Sequence, residues 1–449
     1  NGLIYIRGQS ADYDRWSEAG NNGWSWREVL PYFIKSEHNS DARLVANGTH
    51  GQGGPLWGTT IPEPHPLMDA ITAAGEELGV PRTIDFNSGD QEGVGYYQLF
   101  TKNGWRCSTA VAYLRPAQKR KNLRTEVNAQ VTRVLFEGAR AVGVEYVQHG
   151  KTITLRANRE VLLTAGALQS PQLLMLSGIG PEAHLREQGI AIRQALPGVG
   201  QNMQDHLQLR LMFKVKKPIT TNDDLQSNWR KFEMGWKWIT RRAGPLAIGI
   251  NHGGLFTRVL PESQTPDIQF HFATLSAEMA GAPTHPWSGC TFSVCQLRPE
   301  SRGEIRLKST DPLLPPAMHS NYLSHDTDIR CAIASVRFAR KLARTQALQS
   351  LIGEEYRPGD SAESDDEVLA FARQYGATIF HPSGTCKMAP ADDPMGVVDT
   401  RLRVRGVAGL RVIDCSIMPM LVSGNTNAPV VMIAEKAADM IKADNLHAL

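Results

Sequence analysis

The decapeptide HPSGTCKMAP, residues 381–390, sets a histidine five positions ahead of a cysteine. Such a pair has four readings: a nucleophile with its base, two ligands of a metal, a proton-transfer histidine beside an incidental cysteine, or a packed turn. Spacing speaks against the first two. Residues five apart fall on opposite faces of a strand and about 140° apart on a helix, and Pro382 and Gly384 preclude regular helix between them. A zinc site needs two further ligands at a familiar spacing, and no second His/Cys cluster follows. His381 thus stands between a hydrogen-bonded loop histidine and a proton acceptor, a role that an imidazole titrating near neutrality suits.

Further along, Asn425, Thr426 and Asn427 crowd the start of an apolar helical stretch, with Pro429 in its first turn. A helix start offers unpaired N–H groups and the positive end of the macrodipole, so it suits an anion or a ring that becomes anionic on reduction. A plain cap is the other reading. Just upstream, LRVIDCSIMP ends a buried strand in Asp414, a position typical of ligand contacts at strand ends in α/β sheets.

Several elements must position these groups. LMDAITAAGEELG after Pro66 reads as a helix capped by Gly79. From Val131, VTRVLFEGARAVGVEYV reads as two β runs around residues 137–139, followed by KTITLRA and a buried strand in EVLLTAGA. SPQLLMLSGIG, 170–180, predicts a short helix with Ser170 as N-cap, Pro171 in the first turn and Gly178 as stop. Across 207–310, LQLRLMFKV, DIQFHF, CTFSVCQL and GEIRLKS alternate with a Trp-rich helical stretch at 228–242, the pattern of an antiparallel sheet domain with helices. A long amphipathic helix follows at about 327–345, then the strand GLRVID and a helix from near Ala428. The class is mixed, α/β and α+β.

A chain of 449 residues exceeds the roughly 250–300 at which single cores stop growing. Two domains with a ligand cleft between them are expected. A formal charge of +3 implies neither a nucleic-acid nor an acidic-membrane partner. Six cysteines without C-x-x-C spacing suit a reducing compartment. No apolar run approaches the ~20 residues of a membrane helix, which predicts a cytoplasmic chain, at most peripheral to a membrane. NGLIYIRG at residues 1–8 reads as a folded segment entered midway.

HPSGTCKM, GVVDTRLRVRGVAGLRVIDCSIMP and NTNAPVVMIAEKAADMI together resemble the C-terminal signature of the glucose-methanol-choline family of flavin oxidoreductases. GALQSPQLLMLSGIG (166–180) is similar to one of that family's diagnostic patterns, PGVGQNMQDH (197–206) to the turn that follows it, and NGLIYIRGQSADYD (1–14) to the tail of the other. The resemblance implies FAD held by a Rossmann-type domain (1–20, 105–206 and 395–449) and an antiparallel-sheet substrate domain (21–104 and 207–394) over the flavin's reactive face. It implies His381 as active-site base and Asn427 as the second catalytic position. Val131 would meet the adenine through its backbone, Asp414 would contact the cofactor at a strand end, and Asn1, Asn425 and Thr426 would lie near the flavin.

Two departures qualify these expectations. The family's G-x-G-x-x-G is absent, the nearest run being GVGQNMQ with Met203 in place of the third glycine; this implies a chain lacking its N-terminal FAD-binding segment. Choline recognition calls for a carboxylate and aromatic faces around a quaternary ammonium, yet AIGINHGGLF offers His252 where an acid would be sought. The expected reaction is therefore oxidation of a neutral primary alcohol to an aldehyde, with a quinone, oxygen or another carrier taking the electrons. Choline oxidation, a non-redox hydroxynitrile lyase on the same fold, and an inactive truncated remnant are the alternatives.

Overall fold

The computed structural model describes residues 2–61, 63–279 and 281–446. Its largest sheet is built from β1 (Gly93–Tyr96), β2 (Leu207–Val215), β3 (Asn251–Thr257), β4 (Ile268–Ala273), β5 (Gly289–Gln296) and β6 (Ile352–Arg357). The order is β6-β2-β5-β4-β3-β1, Ala377–Thr378 adds a seventh strand beside β2, and every pairing is antiparallel. β4, sequence IQFHFA, is buried along its whole length, as expected of a central strand read as a short continuous apolar run. Its Phe270 and Phe272 join Phe213 of β2 and Phe292 of β5 in one core, closed by Leu67 and Ile71 of the Pro66–Glu77 helix, Val336 and Ala339 of the Asp326–Ala343 helix, and Phe371. GEIRLKS departs from expectation. Glu304–Arg306 pairs with Ala317–His319, off the main sheet, because Ile305 is drawn to the other core and its N–H bonds Gly200 O at 2.7 Å.

That other core gathers around a parallel strand pair, Val161–Leu163 with Leu410–Val412, and the meander Ala129–Glu137, Arg140–Gln148, Lys151–Arg156. Trp16, Leu174, Val412, Met432 and Ile433 fill it. The stretch 21–56, placed with the substrate domain from sequence, contributes Trp24, Val29, Phe33 and Leu56 to this core. Its helix Trp26–Ser36 turns that face onto the last helix, Asn427–Leu446.

The helix expected to start at Ser170 starts a turn earlier, running Gly166–Leu176. Ser170 is not its cap: the hydroxyl donates to Asp414 Oδ2 at 2.6 Å. Pro171 sits inside the helix and leaves the carbonyl four residues back without an N–H partner. That carbonyl, Ala167 O, accepts instead from the Thr385 hydroxyl at 2.6 Å. A third small cluster gathers Leu3, Ile4 and Ile6 with Phe86, Tyr97, Phe256 and Leu297. The loop entering the last helix runs flush against it. Gly424 has φ +106°, and a Cβ there would lie 2.6 Å from Ile6 Cγ2, so only glycine fits.

Candidate active site

His381 and His206 meet where the sheet domain abuts the start of the last helix. His206 immediately precedes β2, and its Nδ1 lies 2.9 Å from His381 Nδ1. Its other nitrogen, Nε2, lies 3.0 Å from Leu297 O. A carbonyl only accepts, so His206 Nε2 carries the proton and its Nδ1 is the acceptor. His381 must then donate from Nδ1, which leaves a lone pair on His381 Nε2. Asn425 Nδ2 donates toward that atom at 3.4 Å.

The loop carrying His381 is braced by Asp205. Its Oδ1 accepts from His381 N–H at 3.0 Å, and its Oδ2 accepts from the Tyr322 and Thr378 hydroxyls, both at 2.5 Å. Phe380, between these anchors, holds φ +65° and is 79 % exposed. A bulky residue in the left-handed region next to a reactive histidine is backbone strain held by surrounding bonds.

Two residues of β4 complete the inner surface. Gln269 Nε2 donates to Tyr97 Oη at 2.9 Å and to Asn425 Oδ1 at 3.3 Å. His271 is buried, and its Nδ1, like Gln269 Oε1, has no hydrogen-bond partner. Burial, reinforced by the neighbouring His206 and His271, holds the His381 imidazole well below its ordinary value. Burial likewise lowers His206 and takes His271 down to about 4. His252 on β3, its ring 5.1 Å from that of His65, is lowered to about 4 by burial and then by His65. The cluster is therefore neutral at pH 7, and His381 is a base with its proton-accepting nitrogen unoccupied by any proton.

Of the residues expected from sequence, His381 and Asn425 come together. Asn427 is the first residue of the last helix, and its side chain makes no hydrogen bond among the described residues. Thr426 is the helix N-cap, its carbonyl accepting from Val430 N–H at 3.0 Å. Asp414 sits at the end of the Leu410–Val412 strand, but its carboxylate is engaged internally, by Gly166 N–H (2.9 Å), the Ser170 hydroxyl and Ser416 N–H (2.8 Å). Val131 lies on the meander opposite Tyr146. Asn1 lies outside the described residues. Cys386 is buried away from the histidine pair, its N–H bonded to Ser416 O at 2.8 Å. His206, Asp205, Gln269 and His271 were not singled out from sequence. The signal for the last two was a glutamine and a histidine inside the apolar run DIQFHF, since a polar side chain in a fully buried strand needs a reason.

The residues present fit an organic cofactor with polar ring edges. The last helix starts two residues after Asn425, whose amide lies 3.4 Å from His381 Nε2, and the partnerless atoms of Gln269 and His271 supply buried hydrogen-bonding capacity beside it.

Comparison with known proteins agrees. The N-terminal GMC oxidoreductase family model matches residues 1–208 and the C-terminal one residues 299–434. The match over residues 1–208 does not support the expectation of a chain lacking its N-terminal FAD-binding segment. The chain is 43 % identical over 442 residues to mitochondrial choline dehydrogenase of Mus musculus, covering 98 % of this chain and 74 % of that protein. It is 40 % identical over 442 residues to an oxygen-dependent choline dehydrogenase of Brucella suis, covering 98 % and 79 %. Formate oxidase of Aspergillus oryzae, solved in a variant probing FAD modification, superposes with a TM-score of 0.93 at 26 % identity, over 100 % of this chain and 83 % of that one. The chain belongs to the GMC oxidoreductases, FAD-dependent enzymes acting on CH–OH donors.

Proposed function

We propose that the chain oxidises a primary alcohol to the aldehyde, with His381 as general base. FAD, when bound, supplies the acceptor for the hydride leaving the carbinol carbon. His381 Nε2 takes the hydroxyl proton, and the Asn425 amide, now 3.4 Å from that nitrogen, holds the alcohol oxygen in line with it. His206 fixes the imidazole by accepting from Nδ1, and the buried setting keeps competing water away. The observation that carries this reading is the forced tautomer, which leaves the Nε2 lone pair of a neutral imidazole turned to the Asn425 amide. Among the described residues no carboxylate is hydrogen-bonded to this ring, and the ring cluster around it is neutral, which favours an uncharged alcohol.

Choline is the second reading, favoured by the likeness to choline dehydrogenases. Anaerobic mixing of the flavin-loaded protein with choline and with uncharged primary alcohols, followed by flavin bleaching, separates the two. Bleaching by neither would leave the non-redox lyase reading. His381→Ala should slow bleaching by the better substrate ~10²–10⁴-fold with flavin retained. Reduction within a few-fold of wild type would reduce His381 to a structural residue. Reoxidation of the bleached protein by oxygen and by a quinone, compared side by side, identifies the electron acceptor.

A further inference from the structure

The helix Asn228–Arg241 is unlike every other long helix of the molecule: none of its residues is buried. Trp229, Phe232, Trp236 and Ile239 recur at spacings of three, four and three, which sets them on one stripe. A surface helix ordinarily turns such a stripe to the core. Here these four are 71, 60, 60 and 62 % exposed. The cause is Trp238, on the opposite side. Its Nε1–H donates to Gly104 O at 3.1 Å, its ring packs edge-on to Trp105 at 4.6 Å, and the Arg242 guanidinium lies 4.3 Å over it. Docking through Trp238 obliges the aromatic stripe to face outward. Leu246 and Ile250, also exposed, extend the apolar surface past the end of the helix. An exposed apolar surface of this extent marks an interaction site.

Its charge says which kind. Residues 228–242 carry Arg230, Lys231, Lys237, Arg241 and Arg242 against the single acid Glu233, and the adjoining hairpin adds Lys102 and Arg106. Arg230 is paired with Asp224 and Lys237 with Glu63, while Lys231 and Arg241 have no ion-pair partner among the described residues. A second copy of this chain docked stripe to stripe would bring two basic margins together. An anionic lipid surface would not: it offers acyl chains to the aromatic stripe and phosphates to its margins. The near-neutral charge of the whole chain conceals this local excess.

We propose that the Asn228–Arg241 helix docks the protein on an anionic membrane surface, lying in the interface with Trp229, Phe232, Trp236 and Ile239 among the lipids. No helix among the described residues is long and apolar enough to cross a membrane, so this attachment is peripheral and salt-sensitive. The docked face continues through Pro245–Ala247 directly into β3, which carries His252. The lipid-facing surface is thus contiguous in the chain with a strand beside the site. The inference stands apart from the choice of alcohol.

Vesicle flotation tests it, using phosphatidylcholine alone and phosphatidylcholine with roughly a third phosphatidylglycerol. The chain should float with the anionic vesicles, less with neutral ones, and less as salt rises. The combined variant Trp229→Ser, Phe232→Ser, Trp236→Ser should lose about tenfold or more of this binding, with flavin reduction unchanged because these side chains are exposed and their ring contacts are with one another. Lys231→Glu with Arg241→Glu should abolish the preference for anionic vesicles. Failure of the wild-type chain to float, or equal flotation of the aromatic variant, overturns the proposal. So does a fall in oligomer size in the aromatic variant without any vesicle binding, which would make the stripe a contact between copies.

Discussion

At the scale of single residues, the site depends on which nitrogen holds a proton. His206→Phe would leave His381 Nδ1–H buried with no acceptor, a loss of about 1–3 kcal/mol, and would release the ring to the tautomer with no lone pair on Nε2. Flavin reduction should fall roughly ten- to hundredfold in kcat with KM little changed, and His206→Asn, which keeps an acceptor, should recover part of it. Equal loss in both variants would mean that His206 only fills space. The two asparagines make a second test. Asn425→Ala should cost flavin reduction about 1.5–3 kcal/mol, the worth of a hydrogen bond to a charged group, and Asn427→Ala less; the reverse order would return the second catalytic role to Asn427. His381 was singled out through the resemblance of HPSGTCKM to a family signature, spacing alone leaving it between a loop histidine and a proton acceptor. Its partner was not, since His206 lies 175 positions away and only folding brings them together. Asn425 and Asn427 share one short motif, and the choice between them depends on where the helix begins, a boundary that sequence sets loosely.

At the scale of elements, the N-terminal segment is tied to the end of helix Trp26–Ser36 by a buried charge cluster. Glu37 accepts from Arg7 Nη2 at 2.6 Å and Gly51 N–H at 2.8 Å, and His50 Nδ1 lies 3.0 Å away. Arg7 and Glu37 are fully buried. Burial works to raise the Glu37 carboxyl, but the Arg7 charge and the His50 hydrogen bond outweigh it and hold it below its ordinary value. Glu37→Ala would strand the Arg7 guanidinium without its partner and should destabilise the protein by about 3–5 kcal/mol, read as a lowered urea midpoint; a loss under about 1 kcal/mol would show that water reaches Arg7. Nothing in the sequence marks this cluster, because Arg7, Glu37 and His50 belong to three separate elements. The early start of the Gly166–Leu176 helix was hidden for the same reason: the Thr385 hydroxyl that satisfies Ala167 O comes from the loop of His381.

At the scale of the whole molecule, the periodicities foretold the antiparallel sheet and, as separate strands, EVLLTAGA and GLRVID; that these two pair in parallel was not legible, because they lie about 250 positions apart. The path between the two cores was harder to read, because the chain returns repeatedly to the core around the parallel strand pair, as late as Ile305, Leu307 and Cys386, and residues 21–56 follow their helix into it. The site lies where these passes meet, and that placement buries His206, His252, His271 and His381 as neutral rings. Each has a folded-state pKa below its unfolded value, so each contributes stability that is fully present above about pH 6.5 and is lost as pH falls toward the folded value. For His252 and His271, lowered to about 4, the window runs from 6.5 down to about 4, and each shift corresponds to at most about 3 kcal/mol. Thermal midpoints should therefore decline steadily over that range. Carboxylates titrate in its lower part, so the comparison that isolates the histidines is His271→Gln against wild type: the variant should lose less stability between pH 6.5 and 5, whatever its starting midpoint. Parallel curves over that interval would mean that His271 is already solvated, and that the seam between the two cores is open to water where the geometry makes it closed.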